Sequence, residues 1–144
     1  MTFINTGGLG IDFPKSDKVM NYFVATEDCT IHKCSVSYSE QTLATYSGHT
    51  GPIYKVVCNP FWHPTDCNVF MTCSYDWTVR IWSEKQEEKE KLVCHQITSL
   101  KDQVNDCTWS PDTSSVFASV ANDGRIEIWD LAIDNLNPRK IYFD

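Results

Sequence analysis

Apolar and polar residues alternate along much of this chain, in short bursts separated by tight polar corners. In TVRIW (78–82) and RIEIW (125–129) the alternation has a period of two, the signature of a strand with one face toward a core. Each burst follows a corner built on an aspartate: Tyr75-Asp76-Trp77 in one, Asn122-Asp123-Gly124 in the other. Asp-Gly and related pairs accept left-handed backbone and hydrogen-bond their own turn, so the corners predict hairpins.

The hairpins recur. FVATEDCTIHKCS (23–35), FMTCSYDWTVRIWS (70–83) and FASVANDGRIEIWD (117–130) align on Asp28, Asp76 and Asp123 (76 − 28 = 48 and 123 − 76 = 47 residues apart). A short apolar stretch ending in proline precedes each: GIDFP (10–14), VVCNP (56–60) and CTWSP (107–111). Two markers keeping one period identify a repeat. The stretches before the prolines supply another strand, and residues 41–46, 92–98 and 140–143 supply a fourth. Four short antiparallel strands in each period form the unit of a β-propeller blade. The expected class is therefore all-β, with about three four-stranded blades near 6–47, 48–99 and 100–144.

Gly48-His49, then Trp82 inside DWTVRIW, and finally Trp129-Asp130 resemble the WD40 repeat. That resemblance implies a buried polar chain from a turn Asp to a His, a strand hydroxyl and a Trp indole N–H. Carried onto this sequence it gives Asp76, His49, Thr72 and Trp82 in the second blade. In the third it gives Asp123, Ser119 and Trp129, with Leu100 where the His would stand. In the first only Asp28 is left, with Val24 and Cys34 at the hydroxyl and Trp positions, so that blade is expected to rest mainly on apolar contacts and to be weaker.

Two longer stretches, NYFVATEDCTIHKCSVSYSEQTLATYSGHTGPIYKV (21–56) and NPFWHPTDCNVFMTCSYDWTVRIW (59–82), resemble the dynein intermediate chain family, its axonemal inner-arm members most of all. The resemblance implies a non-catalytic scaffold subunit. Its propeller, normally of about seven blades, would hold a dynein heavy chain beside other dynein-arm subunits, in the cytoplasm and in the axoneme of a motile cilium. Three blades do not close such a ring, so a partial propeller is expected, one that self-associates or is unstable alone. The rival reading is a generic WD40 adaptor, for example a ubiquitin-ligase substrate receptor. It is disfavoured because the docking arginine of such receptors is missing: Leu131-Ala132 follow Trp129-Asp130, and Ser83-Glu84-Lys85 follow Trp82.

Composition narrows the remaining classes. With 144 residues, 42% of them hydrophobic, the chain has material for one domain with a substantial core. A net charge of −7 argues against nucleic acid as a partner. No apolar run approaches the length of a membrane span. Seven cysteines, an odd number, together with an N-terminal stretch lacking a secretory pattern, predict free thiols in a reducing compartment. Cys58, His63, Cys67 and Cys73 cluster, but their spacing is irregular for zinc, and no metal or cofactor is expected. Gly7-Gly8-Leu9-Gly10 leads into a strand and does not cradle phosphate. His49, Thr72 and Asp76 occupy repeat-spaced structural positions, so no enzyme activity is expected of them. The charge run SEKQEEKEK (83–91) reads as a solvated loop between strands. Phe61 and Trp62, between two prolines, and Tyr75 and Trp77, flanking the turn aspartate, are the candidate partner-binding residues.

Overall fold

The computed structural model describes residues 6–15, 21–37, 42–61, 67–85, 93–97 and 101–143. These form twelve strands in three four-stranded antiparallel sheets. Blade one contains β1 (Gly8–Asp12), β2 (Asn21–Thr26), β3 (Thr30–Ser35) and β4 (Thr42–Ser47). Blade two contains β5 (Ile53–Cys58), β6 (Cys67–Ser74), β7 (Val79–Lys85) and β8 (Val93–Ile97). Blade three contains β9 (Val104–Trp109), β10 (Val116–Ala121), β11 (Arg125–Asp130) and β12 (Lys140–Phe143). Every sheet runs in sequence order, and the first strands β1, β5 and β9 stand beside one another. This is the expected all-β arrangement of propeller blades. No helix among the described residues is long and apolar enough to cross a membrane.

The middle sheet is buried on both faces. Phe70, Thr72 and Trp82 point toward blade one, and Met71, Cys73, Val79 and Ile81 point toward blade three. A strand buried on both sides loses the alternation of a half-exposed one, which is why FMTCS reads apolar or small throughout. The core is thus divided into two inter-blade layers. Phe23, Ala25, Ile31 and Tyr46 of blade one meet Ile53, Val56, Phe70 and Trp82 of blade two. Met71, Cys73, Val79, Ile81 and Ile97 meet Val104, Cys107, Trp109, Phe117 and Trp129 of blade three.

Aromatic stacks repeat with the period. Phe70 and Trp82 pair across β6 and β7 with ring centroids 6.0 Å apart and planes 10° apart. Phe117 and Trp129 pair across β10 and β11 at 6.1 Å and 2°. Phe23 extends the first stack from blade one, 4.4 Å from Phe70. Such offset contacts add to the burial of large apolar area.

The charge run does not begin where the loop does. Ser83, Glu84 and Lys85 continue β7. The Glu84 carboxylate takes the Lys33 ammonium at 2.7 Å and the Tyr46 hydroxyl at 2.9 Å, both from blade one. Glu84 is therefore a clamp between blades and not a solvated loop residue. Burial, followed by the Glu84 carboxylate beside it, pushes the Tyr46 phenol far above its ordinary range. Residues 86–91 of the run lie outside the described residues. Blade one, expected to rest mainly on apolar contacts, thus adds polar ties, including the amide of Cys58, which donates to Asp12 at 2.7 Å.

Truncating the ring at the centre of the first layer tests this packing. Phe70→Ala is expected to lower the urea-unfolding free energy by about 3–5 kcal/mol, and a loss below about 1 kcal/mol would show that the layer is not packed as described.

Candidate structural site and partner surface

Blade two positions its polar chain by folding the connection at 48–52 over the turn at 75–78. Gly48 has φ +157°, and a Cβ there would lie 2.9 Å from the Arg80 guanidinium and 3.2 Å from the Trp82 ring, so this position favours glycine. Pro52 accepts the Tyr75 amide at 3.0 Å, and the Ser74 hydroxyl donates to the carbonyls of Pro52 and Gly51 at 2.8 and 3.0 Å. These bonds carry His49 inward between the turn and the sheet.

The four residues then meet in series. Trp82 Nε1 donates to Thr72 Oγ1 at 2.8 Å. Thr72 Oγ1 lies 2.7 Å from His49 Nε2, and His49 Nδ1 lies 2.8 Å from Asp76 Oδ2. With the imidazole proton on Nδ1, every donor in the chain meets an acceptor. Asp76 also accepts the amides of Thr50 and Thr78 at 3.0 Å each and the Thr78 hydroxyl at 2.6 Å. Burial by itself would raise the Asp76 carboxyl. The bonds from His49, Thr78 and Thr50 outweigh it and hold the group well below the usual carboxylate range. The His49 side chain is fully shielded from solvent and that of Asp76 is 4% exposed, so no substrate reaches this set.

Blade three solves the same problem differently. Ser119, Asp123 and Trp129 do not form a chain. Trp129 Nε1 donates to Glu127 Oε2 at 3.2 Å, and the buried Ser119 hydroxyl has no hydrogen-bond partner among the described residues. Asp123 turns to the amide of Arg125 at 3.1 Å and lies 3.8 Å from its guanidinium, which in turn lies 3.6 Å from Glu127. Arg125, Glu127 and Trp129 are spaced by two on one face of β11, with Asp123 in the turn before it, so the polar series runs along the strand instead of crossing from a histidine. The physical reason is the buried Glu127, which stands where blade two has Arg80 and supplies the indole acceptor within its own strand. In blade one Asp28 is exposed, and buried Cys34 and half-buried Val24 occupy the Trp and hydroxyl positions.

The cysteines separate. Cys58 packs on the layer between blades one and two, and Cys73 lies in the layer between blades two and three, on opposite faces of one sheet. Burial, reinforced by the Asp12 carboxylate, pushes the Cys58 thiol well up. His63 and the Cys67 side chain lie outside the described residues, among which no group of three or more metal-ligating side chains gathers.

The candidate partner residues occupy opposite rims. Tyr75 and Trp77, 55% and 53% exposed, follow the end of β6. Phe61, 47% exposed, follows the end of β5, which is antiparallel to β6, and so emerges at the other end of the blade. Trp62 lies outside the described residues. Trp77 has φ +70°, a left-handed conformation that costs a bulky residue roughly 1–2 kcal/mol. At the same repeat position blade three has Gly124, with φ +82°, and blade one has Cys29, with φ +64°. The second turn thus holds an exposed indole where glycine would be unstrained.

The WD domain, G-beta repeat family profile matches residues 40–83 and 88–130. The chain belongs to this WD40 family of propeller-forming repeats. Each matched stretch starts with the outer strand of one sheet and runs through three strands of the next. More particularly, the chain is 48% identical over 125 residues to human dynein axonemal intermediate chain 4, covering 87% of this chain and 13% of that protein. It is 39% identical over 133 residues to the Xenopus laevis protein of the same name, and 37% identical over 131 residues to dynein intermediate chain 2, ciliary, of Heliocidaris crassispina. These alignments cover 91% of this chain each, and 16% and 17% of the two relatives. The chain therefore spans less than a fifth of the length of these relatives.

Two experiments test the chemistry of the site. Thr72→Val leaves the Trp82 N–H and the inward nitrogen of His49 without a partner and is expected to cost about 1–3 kcal/mol per group in denaturant unfolding. Ser119→Ala, at the equivalent position in blade three, is expected to change stability by less than about 0.5 kcal/mol; equal losses at both would contradict the separate wiring. The Asp76 carboxyl, held low in the fold, stabilises fully above its unfolded value near ~3.9 and loses that contribution as pH falls toward its folded value. The stability gap between the parent and Asp76→Asn is therefore expected to be largest near neutral pH and to shrink below about pH 4. A gap that widened with acid would reverse the sign of the account.

Proposed function

We propose that this chain acts as a non-catalytic WD40 scaffold in an axonemal dynein complex, holding a dynein heavy chain and supporting motor assembly and ciliary beating. The observation that carries the reading is the 48% identity, over 87% of the chain, to a protein named as a dynein axonemal intermediate chain. Cytoplasm, for assembly, and the axoneme, for work, are the corresponding locations. The solvent-shielded state of His49 and the bonding of Asp76 within its own blade fit a set that holds a loop and does not perform a reaction.

The rim that carries Tyr75 and Trp77 is the proposed contact with the heavy chain or a neighbouring subunit. Rigid aromatic side chains give large contact area at little entropic cost and dominate many interfaces. A non-glycine residue kept in a strained turn while half of its surface faces solvent supports a role outside the fold. Thr72, His49, Asp76 and Trp82 would set that rim by fixing the turn from beneath.

Capture from salt extracts of axonemes tests the reading. The tagged chain is expected to recover dynein heavy chain. Trp77→Gly is expected to reduce recovery roughly tenfold or more, while changing stability by no more than about 1 kcal/mol because relieved strain offsets the added chain entropy. Recovery of a cullin adaptor without any heavy chain would overturn the assignment, and undiminished capture by Trp77→Gly and Tyr75→Ala would remove the rim from it.

A further inference from the structure

We infer that Cys73 and Cys107 form an oxidation site, a buried dithiol between blades two and three that a hydroperoxide closes to a disulfide, stapling one blade to the next. The inference does not depend on the dynein reading. It rests on which residues face each other across the two seams inside the molecule.

The two seams are built alike. β2 approaches β5 across the first, and β6 approaches β9 across the second. The aspartate period places Ala25 and Cys73 at one position, three residues before Asp28 and Asp76. Strand pairing makes Val56 and Cys107 equivalent in the same way: Val56 pairs with Thr72 as Cys107 pairs with Ser119. In the first seam Ala25 and Val56 share one apolar layer, 0% and 2% exposed. The second seam holds Cys73 and Cys107 there, also 0% and 2% exposed. Two hydrocarbon side chains suffice to pack such a seam, and here both are replaced by thiols.

The thiols meet. Cys107 Sγ donates a hydrogen bond to Cys73 Sγ. The other described cysteines have other neighbours: Tyr22 beside Cys34, Asp12 beside Cys58 and the Glu27 carbonyl beside Cys29. The bond to Cys73, followed by burial, pushes the Cys107 thiol up, so the resting pair is a dithiol. Lys55 and Asp106 form an ion pair across the same seam, their side chains 41% and 56% exposed, and both act electrostatically on Cys107. The buried pair thus lies beneath a surface that water reaches, and a small uncharged oxidant has a short path to it.

The reaction balances with a hydroperoxide as oxidant. One sulfur attacks a peroxide oxygen, the O–O bond breaks and water leaves, giving a sulfenic acid. The second sulfur attacks the first, the S–O bond breaks and a second water leaves. Two electrons pass from the sulfurs to the peroxide, and the two thiol protons end in the two waters. The new bond joins β6 to β9 and holds the seam against opening.

Hydrogen peroxide added to the full-length protein, purified under reductant, tests the site. Tryptic digestion without reductant is expected to release segment 56–80 joined to segment 102–125, with fragmentation placing the bond at Cys73 and Cys107. Dithiothreitol is expected to separate the two. The β9 amides are expected to exchange with solvent about tenfold more slowly once the bond is made. Cys73→Ala and Cys107→Val carry the residues of the first seam, so each is expected to keep the near-ultraviolet circular dichroism of the parent and to lose the cross-link. Thiols that stay free, a sulfinic acid at either position, a bond from Cys58 or Cys67 instead, or β9 amides that exchange no more slowly would overturn the proposal.

Discussion

A sheet buried on both faces has no solvent in which to leave its polar groups, and this constraint governs the molecule. Blade two lies between two apolar layers, so its loop, its turn and its indole N–H must find partners inside the protein. The series from Trp82 through Thr72 and His49 to Asp76 satisfies them at distances of 2.7–2.8 Å. An unpartnered buried group costs more than a made bond gains, so the series acts as a unit and fixes where the connection at 48–52 can lie. The aromatic stack adds to the apolar burial of the blade; the polar series determines how its rim is shaped.

Blade three shows that the constraint is general and the residues are not. Its indole is as deeply buried as that of blade two, and an acceptor must be present. Glu127 supplies it from two residues away on the same strand, and Arg125 and Asp123 extend the series to the turn. This solution binds turn to strand but does not reach across to the preceding connection. Blade one makes the third choice: it has no indole, places Cys34 there, and ties itself to blade two through Glu84 and Asp12. The stagger of the family match adds a covalent tie, since the outer strands of blades one and two belong to the repeats that build blades two and three.

Much of this was legible in the sequence because both signals are local. Strand pattern and turn chemistry sit within a few residues of each other, and the aspartate period placed all three hairpins. His49 and Asp76, 27 residues apart, could be joined through the WD40 resemblance. What was hidden depends on contacts between blades or on burial of a second face. Glu84 opens a charge run and reads as solvent-facing until Lys33 and Tyr46, from another sheet, are placed on it. Glu127 lies in an alternating strand and reads as an outward polar residue, whereas in the fold that face is covered. The separation of Phe61 from Tyr75 onto opposite rims follows from strand direction, which the list of exposed aromatics did not contain.

The most direct test of the buried polar series is hydrogen exchange at the indole nitrogens, followed by NMR. The Trp82 Nε1 proton is expected to exchange only through unfolding of its blade, orders of magnitude more slowly than that of Trp77 at the exposed turn. Exchange of both indoles at similar rates in the native state would contradict it.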